Sequence, residues 1–162
     1  MKQFYKLEEM TERVLKILRR QTKRICCVFD GELLEGIPFD TIKILLEQID
    51  EIGSVRKDIA IFDHQLKPEA YSMFINCGIS PIIVPSDKDV YLALESMDIV
   101  NSQQTDILCL GVKNDALLPV VVTARETTDI LLVTQTKQHA ENFLPYSDFL
   151  IIIDELLKQN EK

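Results

Sequence analysis

The chain has 162 residues, enough for one domain with a substantial buried core and no need of covalent staples. It is 46% apolar and 27% charged, as ordinary globular proteins are, and no apolar run approaches the ~20 residues a membrane helix needs. A net charge of −8 argues against broad electrostatic capture of nucleic acid.

Charge is unevenly spread. Residues 1 to 24 carry eight Lys and Arg against three Glu, a net +5 that leaves −13 on the remainder. Within this arm, from Tyr5 to Gln21, Leu7, Met10, Val14, Leu15, Ile17 and Leu18 recur at intervals of three and four, which predicts a basic amphipathic helix. The helix lies outside the alternating pattern that follows, so it is expected either to cover its own body or to contact a protein partner or a second copy. A basic arm can also touch RNA; packing is the favoured reading. The segment has no apolar signal core, which makes a cytoplasmic location the expectation.

From residue 25 on, strand and helix signals alternate. Ile25 to Phe29 is a short β-rich run closed by Asp30-Gly31, and Pro38 to Ile52 has helical spacing with Pro38 before it and Gly53 after. Val55 to Phe62 is a second strand, Pro68 to about Asn76 a helix stopped by Gly78, and Ile79 to Val84 a third strand. A helix from about Asp89 to Val100 leads to a fourth strand, Asp106 to Gly111, then a polar turn at Lys113, Asn114 and Asp115 and a helix from about Leu117 to Glu126. Ile130 to Thr134, a short helix at His139 to Phe143, Phe149 to Ile153 and a helix from Asp154 to about Gln159 complete the series.

Such alternation implies right-handed crossovers and a three-layer, Rossmann-like α/β fold, its mostly parallel sheet covered by helices on both faces. Cys26, Cys27, Cys77 and Cys109 all sit in apolar segments and read as small buried hydrophobes. Parallel strands place their carboxyl ends on one rim, where ligands of open α/β sheets usually bind. Asp30, the Asp87/Asp89 pair and the Asn114/Asp115 pair are expected on that rim, where carboxylates could hold Mg²⁺ or Mn²⁺; the same acids are also common turn and cap residues. His64 falls on the same rim as a turn histidine or a proton shuttle, and Lys88 and Lys113 could meet phosphate or neutralise carboxylates.

The order of these features resembles the NYN family of PIN-like ribonucleases, in particular its small archaeal LabA-like branch. Three segments carry the resemblance: Val28-Phe29-Asp30-Gly31; Pro81 to Val90, followed by Ala93, Glu95 and Met97; and Asn114-Asp115-Ala116-Leu117-Leu118-Pro119-Val120, which aligns without a gap on the family's Asp-Ala-Asp-Phe-Leu-Pro-Val turn. The resemblance spans roughly Ile25 to Ile153 and is most specific from Pro81 to Val121. It implies a PIN-like domain over 25–162 and a Mg²⁺- or Mn²⁺-dependent ribonuclease site, with the family's first acid at Asp30 and its second at Asp89.

Two acidic positions of the family's turn are Asn114 and Ala116 here, and the Asn that commonly follows the first Asp-Gly turn is replaced near Glu32 and Leu33. Asn114 keeps a neutral carbonyl and Ala116 offers no ligand, so two negative charges are lost and metal binding should be weak or absent. The expectation is therefore a catalytically degenerate domain that binds RNA or a protein. The alternative is an active nuclease for single-stranded RNA in which Asp30, Asp89 and Asp115 hold the metal, Asn114 orients it and Lys113 contacts phosphate. A small-ligand binder at the same rim would lack the Gly-rich loop that cradles phosphate.

Overall fold

The first strand, β1 (Arg24–Asp30), is buried along all but its first residue. Its side chains alternate between two separate cores, Cys26 and Val28 entering one, Ile25, Cys27 and Phe29 the other. A run apolar on both faces suits a central strand of a parallel sheet, and β1 holds that place in the computed structural model, which describes residues 9–18 and 23–162.

Six strands, β1, β2 (Ser54–Phe62), β3 (Ser80–Ile83), β4 (Ile107–Gly111), β5 (Asp129–Thr134) and β6 (Phe149–Ile152), lie in the order β3-β2-β1-β4-β5-β6. Every pairing is parallel. The chain winds outward from β1 to β3, returns over the sheet and starts again at β4, so strand order reverses between β1 and β4. That reversal opens a crevice at the carboxyl ends of these two strands.

Residues 9–18 are helical (α1). The ends expected for this helix, at Tyr5 and Gln21, lie outside the described residues. Helices α2 (Gly31–Leu34), α3 (Phe39–Ile52), α4 (Pro68–Asn76) and α8 (Ile153–Asn160) cover one face of the sheet, burying Ile42, Leu45, Ile49, Phe74 and Leu156. The other face carries α5 (Lys88–Asn101), α6 (Leu118–Ala124) and α7 (Lys137–Ala140), with Leu92, Ile99, Val121 and Ala140 inside. The result is the three-layer, Rossmann-like architecture read from the sequence, with a sheet that is wholly parallel.

Local chemistry explains most boundaries. Pro38 precedes α3, Pro68 opens α4, and Gly78, at φ +83, takes the left-handed conformation after α4. Two details differ from expectation. A helical turn, α2, follows β1 directly because the Asp30 carboxylate accepts the Glu32 N–H at 3.0 Å. The helix expected at His139 to Phe143 begins at Lys137, where Thr136 Oγ1 accepts the His139 N–H at 3.3 Å.

At the opposite end of the sheet the Arg24 guanidinium grips Asp106 through two N–H donors at 3.0 and 3.1 Å, joining the starts of β1 and β4. The four cysteines form no disulfide; Cys26, Cys27 and Cys109 are buried and Cys77 is partly so. No described helix is long and apolar enough to cross a membrane.

Candidate functional site

The crevice between β1 and β4 is occupied by an ion pair. Asp30 ends β1 and Lys88 begins α5, and the Lys88 ammonium lies 3.0 Å from Asp30 Oδ1 and 3.3 Å from Glu32 Oε1. Both partners are interior, with Asp30 3% and Lys88 9% exposed. Lys113, after β4, stands 4.0 Å from the other Glu32 oxygen, so the charges alternate across the rim.

Burial is the chief force on Asp30 and raises its carboxyl above the ordinary value, although Lys88 and the Glu32 N–H pull the other way. Burial also works against the Lys88 ammonium, but hydrogen bonds and charge from Asp30 and Glu32 outweigh it and raise its pKa. The entry to α5 selects the lysine for this position. Asp87 takes a left-handed conformation, φ 52 and ψ 47, and of Asp87, Lys88 and Asp89 only Lys88 is buried.

A second cluster lies beside the first, at the end of β2. His64 Nδ1 is 3.2 Å from Asp63 Oδ1 and Nε2 is 2.9 Å from Glu35 Oε1. Glu35 first, then Asp63, raises the His64 pKa. Asp63 is held below the usual carboxylate range by its hydrogen bond to His64 and the nearby charge of Lys88. His64 is thus anchored at both nitrogens, and the rim as a whole sets Asp30, Glu32, Glu35 and Asp63 against Lys88, Lys113 and His64.

The remaining candidates have local partners. Asn114 Oδ1 accepts the Ala116 N–H at 2.9 Å, which starts the 3-10 turn Asp115–Leu117 ahead of α6. Asp115 accepts a 2.6 Å hydrogen bond from Asn142, across the loop that follows α7. Asp89 is exposed in the first turn of α5, and Glu95, further along the same helix, pairs with Lys57 at 3.3 Å. The structure brings together Asp30, Glu32, Lys88 and Lys113. It does not gather Asp30, Asp89 and Asp115, because among the described residues no three His, Cys, Asp or Glu side chains are grouped to hold a metal ion.

The acids that the rim does bring together are held by lysines, Asp30 and Glu32 by Lys88 and Glu32 also by Lys113. The ammonium between Asp30 and Glu32 already supplies the positive charge that two neighbouring carboxylates require. The Asp-Lys-Asp run at 87–89 carried a signal for this, since a lysine flanked by acids at a helix start can serve either side. Glu35 had no such signal: only the turn of α2 brings it to His64.

No family model matches the chain, and no curated protein does. Among solved structures, a protein of unknown function from Vibrio parahaemolyticus superposes with a TM-score of 0.68 at 13% identity, covering 83% of this chain and 94% of that one. The two share a fold. Levoglucosan dehydrogenase in its apo form superposes with a TM-score of 0.41 at 8% identity, covering 81% of this chain and 33% of that one. The chemistry open to this chain follows from its own rim, where Lys88 and Lys113 stand against Asp30 and Glu32 and His64 is held at both nitrogens.

Proposed function

We propose that this chain is a PIN-like domain of the NYN type whose nuclease rim has been converted to an internally neutralised one, and that it acts as a binding module and not as a hydrolase. The observation that carries the reading is the interior Lys88 ammonium, 3.0 Å from Asp30 and 3.3 Å from Glu32. A fixed organic cation there removes the need for Mg²⁺ or Mn²⁺ and occupies the carboxylate that a metal would use first. Asn114 and Asp115, spent on their own turn and on Asn142, support the same reading. The test is incubation of the purified chain with single-stranded RNA and Mn²⁺. The expected outcome is no cleavage above background, while metal-dependent cleavage abolished by Asp30→Asn would overturn the proposal.

The partner favoured is a second copy of the same chain, met through α1. Met10, Val14, Leu15, Ile17 and Leu18 are all exposed on this helix, and α1 belongs to the +5 arm while the rest of the chain carries −13. Glu9 and Glu12 balance Arg13 and Lys16 on α1 itself, and the excess base of the arm lies in the residues on either side of it, so the helix offers a neutral apolar stripe within a basic segment to an acidic body with apolar surface of its own. Sedimentation equilibrium is expected to show a dimer that Val14→Asp with Ile17→Asp converts to monomer. A monomeric parent chain, or one that shifts the mobility of RNA in a salt-dependent way, would count against self-association and for a nucleic-acid partner.

A further inference from the structure

A cleft of about 520 Å³ lies between α3 and α4, on the face of the sheet opposite α5, and neither Asp30 nor Lys88 lines it. Helix α3 presents one stripe to it, Phe39, Lys43, Glu47 and Asp50, spaced so that they share a side of the helix. Its floor is β2, where Asp58 occupies a position that the strand's alternation assigns to the interior. Ala60 and Phe62, two and four residues on, are both fully buried in the core beneath α3. The β1 residue paired with Asp58 in register is Cys27, also fully buried. An acid therefore stands where the pattern calls for an apolar side chain.

This acid has no internal partner. Asp58 Oδ1 is completely buried and receives no hydrogen bond, and burial raises the carboxyl to about 7. Buried polar atoms are almost always paired, so a half-buried acid on the lining of a cleft, with one oxygen shut away unpaired beneath it, has room for a donor from outside the chain at the part of its carboxylate that the cleft exposes. The surroundings limit what that donor can be. Glu47 and Asp50 add negative charge against the single base Lys43, Leu46 and Val55 supply apolar wall, and the Phe39 ring already attracts a cation, with Lys43 Nζ 5.6 Å from its centroid.

We propose that this cleft binds a small primary amine with an apolar or aromatic body, its ammonium donating to Asp58 and its body lying against Val55, Leu46 and Phe39. The volume suits a small organic molecule. The site is separate from the Asp30–Lys88 pair, so it stands whether or not the rim is catalytic.

The experiment is isothermal titration of the full chain with phenethylamine and with its uncharged counterpart 2-phenylethanol, at pH 8 and pH 6, repeated on Asp58→Asn. Thermal melting establishes that the variant is folded. The amine is expected to bind at pH 8 at least tenfold more tightly than the alcohol, and Asp58→Asn to lose that preference. Affinity for the amine should also fall about tenfold between pH 8 and pH 6, as Asp58 takes up the proton it must release to pair with an ammonium. The groups facing Asp58 are Lys43, Glu47 and Asp50 from α3, Cys77 from the end of α4 and Cys27 from β1. The Cys27 thiol is pushed up by its hydrogen bond to Cys109 and by burial, and that of Cys77 by burial, so both stay neutral across this range. Equal binding of amine and alcohol, undiminished binding to Asp58→Asn, or no amine binding at about 10 mM would overturn the proposal.

Discussion

Lys88 Nζ and Asp30 Oδ1 lie 3.0 Å apart in the interior of the domain, one supplied by the start of α5 and the other by the end of β1. The pair ties the helix that crosses the sheet to the strand it crosses, and it does so where the strand order reverses. Breaking a buried pair from one side leaves an uncompensated charge in a poorly solvated place. Lys88→Met is therefore expected to cost about 3–5 kcal/mol in urea denaturation. Adding Asp30→Asn should recover a large part of that loss, because the stranded carboxylate is gone. Additive losses in the double variant would show that the two residues do not act as a pair.

Acid should loosen the opposite end of the sheet. The Arg24 guanidinium and backbone N–H hold the Asp106 carboxyl down to about 2, from an ordinary 3.8. A depressed carboxylate contributes stability that is complete above 3.8 and is lost as pH falls through about 2. Both side chains are substantially open to solvent, which limits the contribution to about 1 kcal/mol or less. Denaturation midpoints between pH 2 and 5 should show this loss in the parent chain and a shallower one in Asp106→Asn.

His64 works in the other direction. Its pKa is raised from 6.5 by Glu35 and Asp63, so its contribution is complete below 6.5 and is lost as pH rises through the elevated folded value. An NMR titration of the imidazole should place its midpoint above 6.5, and Glu35→Gln should lower it, Glu35 being the larger cause. An unchanged midpoint in that variant would mean that the Glu35 contact is absent in solution.

Gly111, the last residue of β4, leaves no room for a methyl group. A Cβ there would overlap Phe29 Cδ1 and meet Leu33 Cδ2 at 3.0 Å. Phe29 is fully buried and directly precedes Asp30. Gly111→Ala is expected to cost about 1–3 kcal/mol and, by displacing Phe29, to disturb the Asp30–Lys88 pair. Thermal melting checks the cost, and the Lys88→Met change should become milder in this background if the pair has already been loosened.

Asp58 imposes a stability cost that grows with pH. Its carboxyl is raised from 3.8 to about 7, so the folded chain holds a proton that the unfolded chain releases, and stability declines as pH climbs through that window. Asp58→Asn is expected to remove the decline, and Asp58→Leu to gain about 1–3 kcal/mol at pH 8 by replacing an unpaired polar group with an apolar one. A variant no more stable than the parent at pH 8 would show that Asp58 is solvated in the folded state.

Much of the fold was legible because its signals are local. Pro38 and Gly53 bracket α3, Pro68 and Gly78 bracket α4, and the apolar run after Arg24 is too short for a helix and too uniformly apolar for a half-exposed strand. The rim was legible in part. Parallel strands do bring Asp30, Lys88 and Lys113 to one edge, but which side chain turns inward at the start of α5 depends on the left-handed Asp87, a backbone choice that no spacing rule records. The Asp58 cleft gave no warning at all, since an Asp inside a mixed run of Lys57, Asp58 and Ile59 reads like any other solvated charge.

The sequence by itself determined the alternation of strands and helices and the mostly parallel sheet with helices on both faces, because periodicity, proline and glycine act within a few residues of where they stand. Tertiary structure alone decided who meets whom: that the cation beside Asp30 is Lys88, that His64 finds Glu35, and that Asp58 faces a cleft with no partner. Those pairings depend on strand order and helix rotation. Both are settled by the packing of the two cores over the whole chain, and a buried charge takes its meaning from whatever that packing leaves beside it.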